Sequence, residues 1–133
     1  MTTTPNVRPW SLHRNGYPGI AQWGGWVWSG DTESSWKTLE GQIAVGLNYS
    51  LSIAPFWGSD IGGFFAIGAN QPTPELLQRW VQFGAVSGVM RTQANGIALP
   101  AKDRPQVWAA DQIGNWRRYA KLRTSLYPYI AAA

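Results

Sequence analysis

The sequence predicts an α/β chain that forms part of a (β/α)8 barrel. Three observations predict it. Short apolar runs alternate with helical patterns in the order strand, strand, helix, strand, helix, strand, helix. Most of the runs end in a polar or charged residue set among glycines: Arg14, Asp31, Asp60 and Arg91. The chain has 133 residues, about half of the roughly 250 that a complete barrel needs. Side chains at the C-terminal ends of parallel strands are where such barrels place their chemistry.

The elements follow in order. Val7 to His13 reads as a short strand ending at Arg14. Asn15-Gly16 and Pro18-Gly19 are turn signals. Trp23 to Trp28 is aromatic and β-branched, the composition of a strand. A helix follows, capped by Ser34 or Ser35, with Trp36, Leu39, Ile43 and Leu47 at helical spacing. Ser50 to Trp57 is a mostly apolar run and reads as a buried strand, with Pro55 near its end, where a lost donor is tolerated. Thr73-Pro74-Glu75 marks a helix start: a cap, a proline in the first turn and an acid at the positive end of the dipole. Ala85 to Met90 predicts a strand ending at Arg91, and Thr92 to about Pro105 a loop. Asp111 to Tyr127 predicts a last helix with Tyr119, Leu122 and Leu126 on one face, ended by Pro128.

Composition narrows the function. With no cysteine there is no disulfide framework, thiolate metal site or thiol nucleophile. No apolar run is long enough to span a bilayer. The start of the chain lacks a leader's basic-then-apolar layout, which together with the missing cysteine leans towards the cytoplasm. The net charge of +4 raises the question of nucleic acid. Yet Arg117, Arg118, Lys121 and Arg123 sit in one helical stretch, the pattern of a solvated face, and the other basic residues are scattered. No nucleic-acid motif is present. The only histidine, His13, is a strand-end residue rather than a metal ligand.

The aromatic residues point elsewhere. Nine tryptophans stand among 15 glycines, and Trp23, Trp26, Trp28, Trp36 and Trp57 fall in the first sixty residues. Indoles beside glycine turns suit flat polar ligands such as sugar rings, though about half of these tryptophans are expected in the core. Of seven carboxylates, Asp31 and Asp60 alone follow an apolar strand, lie among glycines and have a Trp within three residues before them. A carboxyl held against indoles in a poorly hydrated pocket resists ionisation and can act as a general acid.

The stretch RNGYPGIAQWGGWVWSGDTESSW, followed by PFWGSDIGGFF, RWVQFGAVSGVMR and LRTSLYPYI, resembles glycoside hydrolase family 31, from about Arg8 to Ile130. That family holds α-glucosidases and α-xylosidases. The resemblance implies a TIM barrel and retaining hydrolysis by two carboxylates, without a cofactor. It implies that Asp31, in Trp28-Ser29-Gly30-Asp31, is the general acid/base. It implies that Arg14, Asp60 and Arg91 bind the sugar, with Trp28, Trp57 and Phe64 lining the same pocket. Where the family often has a histidine two residues after the arginine matched by Arg91, this chain has Gln93, which hydrogen-bonds but carries no charge. The preferred sugar stays open.

The family's nucleophile lies on an earlier strand, upstream of the segment matched by Arg8. Retaining hydrolysis needs two carboxyls about 5 Å apart. Residues 1–133 are therefore expected to be the C-terminal half of a catalytic barrel, roughly its last four βα units. The expected partners are an α-linked oligosaccharide or glycoside and the missing N-terminal barrel half, with no nucleic acid and no membrane. Such a half should be inactive alone. A non-catalytic carbohydrate-binding module is the competing expectation. It is disfavoured by the W-x-G-D motif, which a binder does not need.

Overall fold

The structure, a computed structural model, describes residues 9–93, 96–99 and 103–132. Every strand pairing in it is parallel. β1 (Ser11–His13) pairs with β2 (Gly25–Trp28), and β2 pairs with β3 (Trp57–Gly58). β4 (Asp60–Ile61) continues the line of β3 beyond Ser59 and pairs with β6 (Arg91–Thr92). The Val89 amide donates to the Trp57 carbonyl, so the segment leading into β6 also lies against β3. A small outer ladder joins β5 (Ala66–Ile67) to β7 (Ala98–Leu99). Parallel strands need crossovers. α1 (Trp36–Ser52) and α2 (Pro74–Val86) supply two of them, and α3 (Ile113–Ala132) packs on α2.

Local chemistry explains the helix starts. Ser35 caps α1 by accepting from the Thr38 amide at 3.1 Å, and Thr73 caps α2 by accepting from the Leu76 amide at 3.1 Å. Pro74 and Glu75 complete the α2 start as the sequence predicts. α2 is the core helix. Leu76, Leu77, Trp80 and Val81 are buried on it and pack with Leu39, Ile61 and Val107. Trp80 is 0% exposed, and its indole donates to Ser59 Oγ at 2.7 Å, so the core gains the ring's area without stranding its N–H. Gly84 lets α2 close onto β4: a Cβ there would lie 2.6 Å from Ile61 Cδ1. Truncating Trp80 to Ala should cost about 3–5 kcal/mol, readable by urea unfolding.

The element boundaries bring corrections. Ser50 to Trp57 is not one strand: its first three residues end α1, and the strand begins only at Trp57. A short apolar run has no period that separates strand from helix. Ala85 and Val86 likewise belong to α2, so Arg91 opens β6 rather than ending a strand. Pro128 lies inside α3, which continues to Ala132. A proline breaks its own bond to the preceding turn but leaves later residues free to stay helical. α3 begins at Ile113 rather than Asp111, and no residue of it is buried; Trp116 and Tyr119 lean on the core, while Leu122 is exposed. On α1 only Leu39 of the predicted stripe is buried, and Trp36, Ile43 and Leu47 are exposed. The predicted loop after Thr92 contains β7. Val7 and Arg8 of the first predicted strand, with parts of that loop, lie outside the described residues.

Candidate active site

The charged residues meet at the C-terminal ends of β1, β2 and the β3–β4 line, against β6. Arg14 follows β1, and its Nη2 lies 2.6 Å from Asp31 Oδ1. Trp28 closes β2, and Ser29 keeps the ladder going by donating its amide to the Gly58 carbonyl at 3.0 Å. Two guanidiniums lie over the Trp28 ring, with Arg14 Cζ 5.9 Å and Arg91 Cζ 5.3 Å from its centroid. Arg91 Nε lies 3.2 Å from Asp60 Oδ1, and Arg91 Nη2 donates to Gln93 Oε1 at 2.9 Å. Six predicted residues thus form one chain of contacts: Asp31, Arg14, Trp28, Arg91, Asp60 and Gln93.

The two carboxylates sit in different media. The Asp31 side chain is 46% exposed, whereas that of Asp60 is 2% exposed. The expectation of a dry pocket holds for Asp60 and not for Asp31, because Asp31 lies on the loop beyond β2 while Asp60 is within β4. Burial pushes the Asp60 pKa up from 3.8. Arg91 opposes that rise, Asp31 adds to it by like-charge repulsion, and Trp28 and Arg104 oppose it more weakly. Asp60 Oδ1 meets Arg91 as an ion pair but accepts no aligned hydrogen bond, and Trp28 Nε1 donates none. Trp28 opposes the rise as a hydrogen-bond donor toward the Asp60 carboxyl, though neither Nε1 nor Oδ1 reaches aligned geometry. A buried acceptor and a buried donor without aligned partners are rare and costly in a native fold, and such groups concentrate at functional sites.

Two predicted residues stand apart. Trp57 faces α1 and α2: its ring covers Gly46, where a Cβ would lie 2.6 Å from Trp57 Cζ3, and it tilts against Phe83 at 6.5 Å. It shares a strand with the site but points to the opposite layer, as side chains alternate along a strand. Phe64 is half-buried and reaches the site through its backbone, its amide donating to the Thr32 carbonyl at 2.7 Å.

Long-range ties escaped the sequence reading. Ser34 donates from its hydroxyl to the Gly62 carbonyl at 2.7 Å, and its amide donates to the Phe65 carbonyl at 2.7 Å. Arg104 donates to the carbonyls of Gly63 and Phe64. No local pattern signals them, since the partners lie 28 to 41 residues apart. Among the described residues no cluster of three His, Cys, Asp or Glu could hold a metal, and no helix is long and apolar enough to cross a membrane. A cavity of about 420 Å³, lined by Trp10, Trp26, Phe56, Arg123 and Tyr127 among others, lies away from the carboxylates.

Acidic and basic side chains gathered at the ends of adjacent parallel strands are the site architecture of barrel enzymes. The chain belongs to glycoside hydrolase family 31: residues 1–133 match the TIM-barrel domain of the glycosyl hydrolases of that family. It is 34% identical over 128 residues to an α-xylosidase of Saccharolobus solfataricus, covering 94% of this chain and 17% of that protein. It is 34% identical over 125 residues to α-glucosidase 2 of Bacillus thermoamyloliquefaciens, covering 92% of this chain and 15% of that protein. Its fold superposes on a xylosidase from Aspergillus niger with a TM-score of 0.75 at 29% identity, over 91% of this chain and 19% of that one. The chain spans less than a fifth of the length of these relatives, and its fold is that of an α/β TIM-barrel domain.

Proposed function

We propose that this chain carries the acid/base side of a retaining α-glycosidase acting on α-linked oligosaccharides or glycosides. Asp31 gives its proton to the glycosidic oxygen as the bond from that oxygen to the anomeric carbon breaks. A carboxylate supplied from outside these 133 residues takes the anomeric carbon as an ester. Asp31, now ionised, then removes a proton from the water that hydrolyses the ester. Arg14 releases the Asp31 carboxyl when it is protonated and is then free to donate to sugar hydroxyls. Asp60, Trp28, Arg91 and Gln93 bind the ring, and Phe64 borders it through its backbone. Trp57 has no part in this, because its indole is spent against Gly46 and Phe83. In this reading residues 1–133 are the last four βα units of the catalytic barrel, completed by the strands that bear the nucleophile.

One observation carries the reading. Asp31 and Asp60 stand at neighbouring strand ends, joined through Arg14, Trp28 and Arg91, with the buried Asp60 Oδ1 and Trp28 Nε1 lacking aligned hydrogen bonds. A hydroxyl, which both donates and accepts, suits that pair. The test is Asp31→Asn in the enzyme assembled with its other barrel strands. Hydrolysis of unactivated glycosides should fall by about a hundredfold to ten-thousandfold, and the first step on an aryl glycoside with a good leaving group should fall less. Equal losses on both would remove Asp31 from the role.

A further inference from the structure

Arg104 lies in none of the motifs that mark the site in the sequence, yet its guanidinium makes two hydrogen bonds to the turn behind Asp60. Its Nη1 donates to the Phe64 carbonyl at 2.9 Å and its Nη2 to the Gly63 carbonyl at 2.6 Å. A planar guanidinium presents its donors as a fixed fork, which suits two successive carbonyls. The clamped turn leads directly out of β4, the strand that holds Asp60. Gly63 sits there at φ +76°, and a Cβ on it would lie 2.8 Å from Ser34 Oγ, so the turn is pressed against the opposite loop. That loop carries Asp31. The amides of Phe64 and Phe65 both donate to the Thr32 carbonyl, at 2.7 and 3.1 Å, and Ser34 bonds to Gly62 and Phe65. Gly96 lies over the same point, where a Cβ would sit 2.8 Å from Arg104 Nη1.

We propose that Arg104 is a positioning residue: by tying the Gly63 and Phe64 carbonyls it fixes the turn behind Asp60 and, through Thr32 and Ser34, the loop that carries Asp31. This rests on reading Asp31 and Asp60 as the sugar site, and it adds a residue that need not touch the sugar. Arg104 acts in two separable ways. Its fork holds the backbone, and its charge faces Asp60, whose other charged neighbours are Arg91 and Asp31. A lysine keeps the charge but not the fork.

The test uses the enzyme assembled with its other barrel strands, carrying Arg104→Lys, Arg104→Met or, as a control, Arg79→Met at the exposed pair with Glu75. Amide exchange of Phe64 and Phe65 should speed up about tenfold or more in both Arg104 variants, the loss expected for charge-assisted hydrogen bonds. The Asp60 carboxyl, followed by carbon-13 NMR, should titrate at higher pH in Arg104→Met and close to wild type in Arg104→Lys. Arg79→Met should change neither readout. A merely structural role would not separate exchange from titration in this way. Should Arg104→Met fail to fold, exchange in Arg104→Lys decides. Phe64 and Phe65 exchange within about twofold of wild type in a folded Arg104 variant would overturn the proposal. Methyl α-glucoside and methyl α-xyloside, added to the wild-type enzyme assembled with its other barrel strands, test the underlying reading separately. If they leave the Asp60 and Trp28 signals unmoved while the Arg104 variants behave as expected, the sugar site fails and the positioning role stands.

Discussion

Asp31 and Asp60 arise from nearly the same sequence context and end in opposite surroundings. Both follow a tryptophan by three residues, with a glycine and a serine between. Asp31 lies on a loop, half in water, against the exposed Arg14 at 2.6 Å. Asp60 is within a strand, sealed from water, with Arg91 misaligned at 3.2 Å. A carboxyl that must exchange protons with ligand and water is better placed at Asp31. One that must hold a fixed orientation is better placed at Asp60. The difference comes from where the strand ends relative to the aspartate: three residues before Asp31, and after Asp60.

The largest effect that could break this contrast is on rate. Asp31→Asn should lower turnover of unactivated glycosides by about a hundredfold or more while leaving the unfolding midpoint nearly unchanged, because the side chain is solvated. A large stability loss in urea would mean that Asp31 is built in as firmly as Asp60. Next comes the tie between the two stations. Ser34→Ala strands the buried Gly62 carbonyl and should cost about 1–3 kcal/mol in urea unfolding. A cost near zero would show the two loops to be independent.

The third effect depends on pH. Because the folded Asp60 pKa is raised above 3.8, the folded chain holds that proton more tightly than the unfolded chain does. Its contribution to stability is therefore most favourable below the unfolded value and falls as pH rises through the folded value. Asp60→Asn lacks this dependence. Its stability relative to wild type should improve from about pH 4 upwards and level off once Asp60 is ionised. A difference that stays flat, or shrinks as pH rises, would place the two carboxylates in the same class. The smallest effect is at Arg14. With side chains 59% and 46% exposed, the Arg14–Asp31 pair should contribute less than about 1 kcal/mol, so Arg14→Met should barely move the unfolding midpoint.

The parallel architecture was legible because the signals that specify it are local. Arg14 and Asp31 follow β1 and β2 beside glycines, and Thr73-Pro74-Glu75 starts α2 where expected. Four of the eight predicted site residues, Arg14, Trp28, Asp31 and Asp60, follow or close parallel strands and come together. Arg91 and Gln93 join them although the strand was placed too early. Ser50 to Ser52 were misread because a short apolar run looks alike in a helix end and a buried strand. Trp57, expected in the pocket, packs its ring against Gly46 and Phe83, because a sequence does not reveal which face of the sheet an aromatic takes when both faces are covered. Arg104 and Ser34 were invisible as site residues, since a bond to a backbone carbonyl many residues away leaves no pattern in either segment.

The strand pairings bear on how the chain reaches its native state. Ser11 meets Gly25, Val27 meets Trp57, Asp60 meets Arg91 and Ala66 meets Ala98. None of these ladders closes through a hairpin, so each must wait for an intervening crossover or long excursion to be drawn in, at an entropic cost incurred before any pairing is gained. Such topology is acquired slowly, on the millisecond-to-second side of the range for small domains. During that delay, unpaired edges and the aromatic surfaces of Trp26 and Phe56 are open to wrong partners, and the newly made polypeptide is at its most vulnerable to clumping.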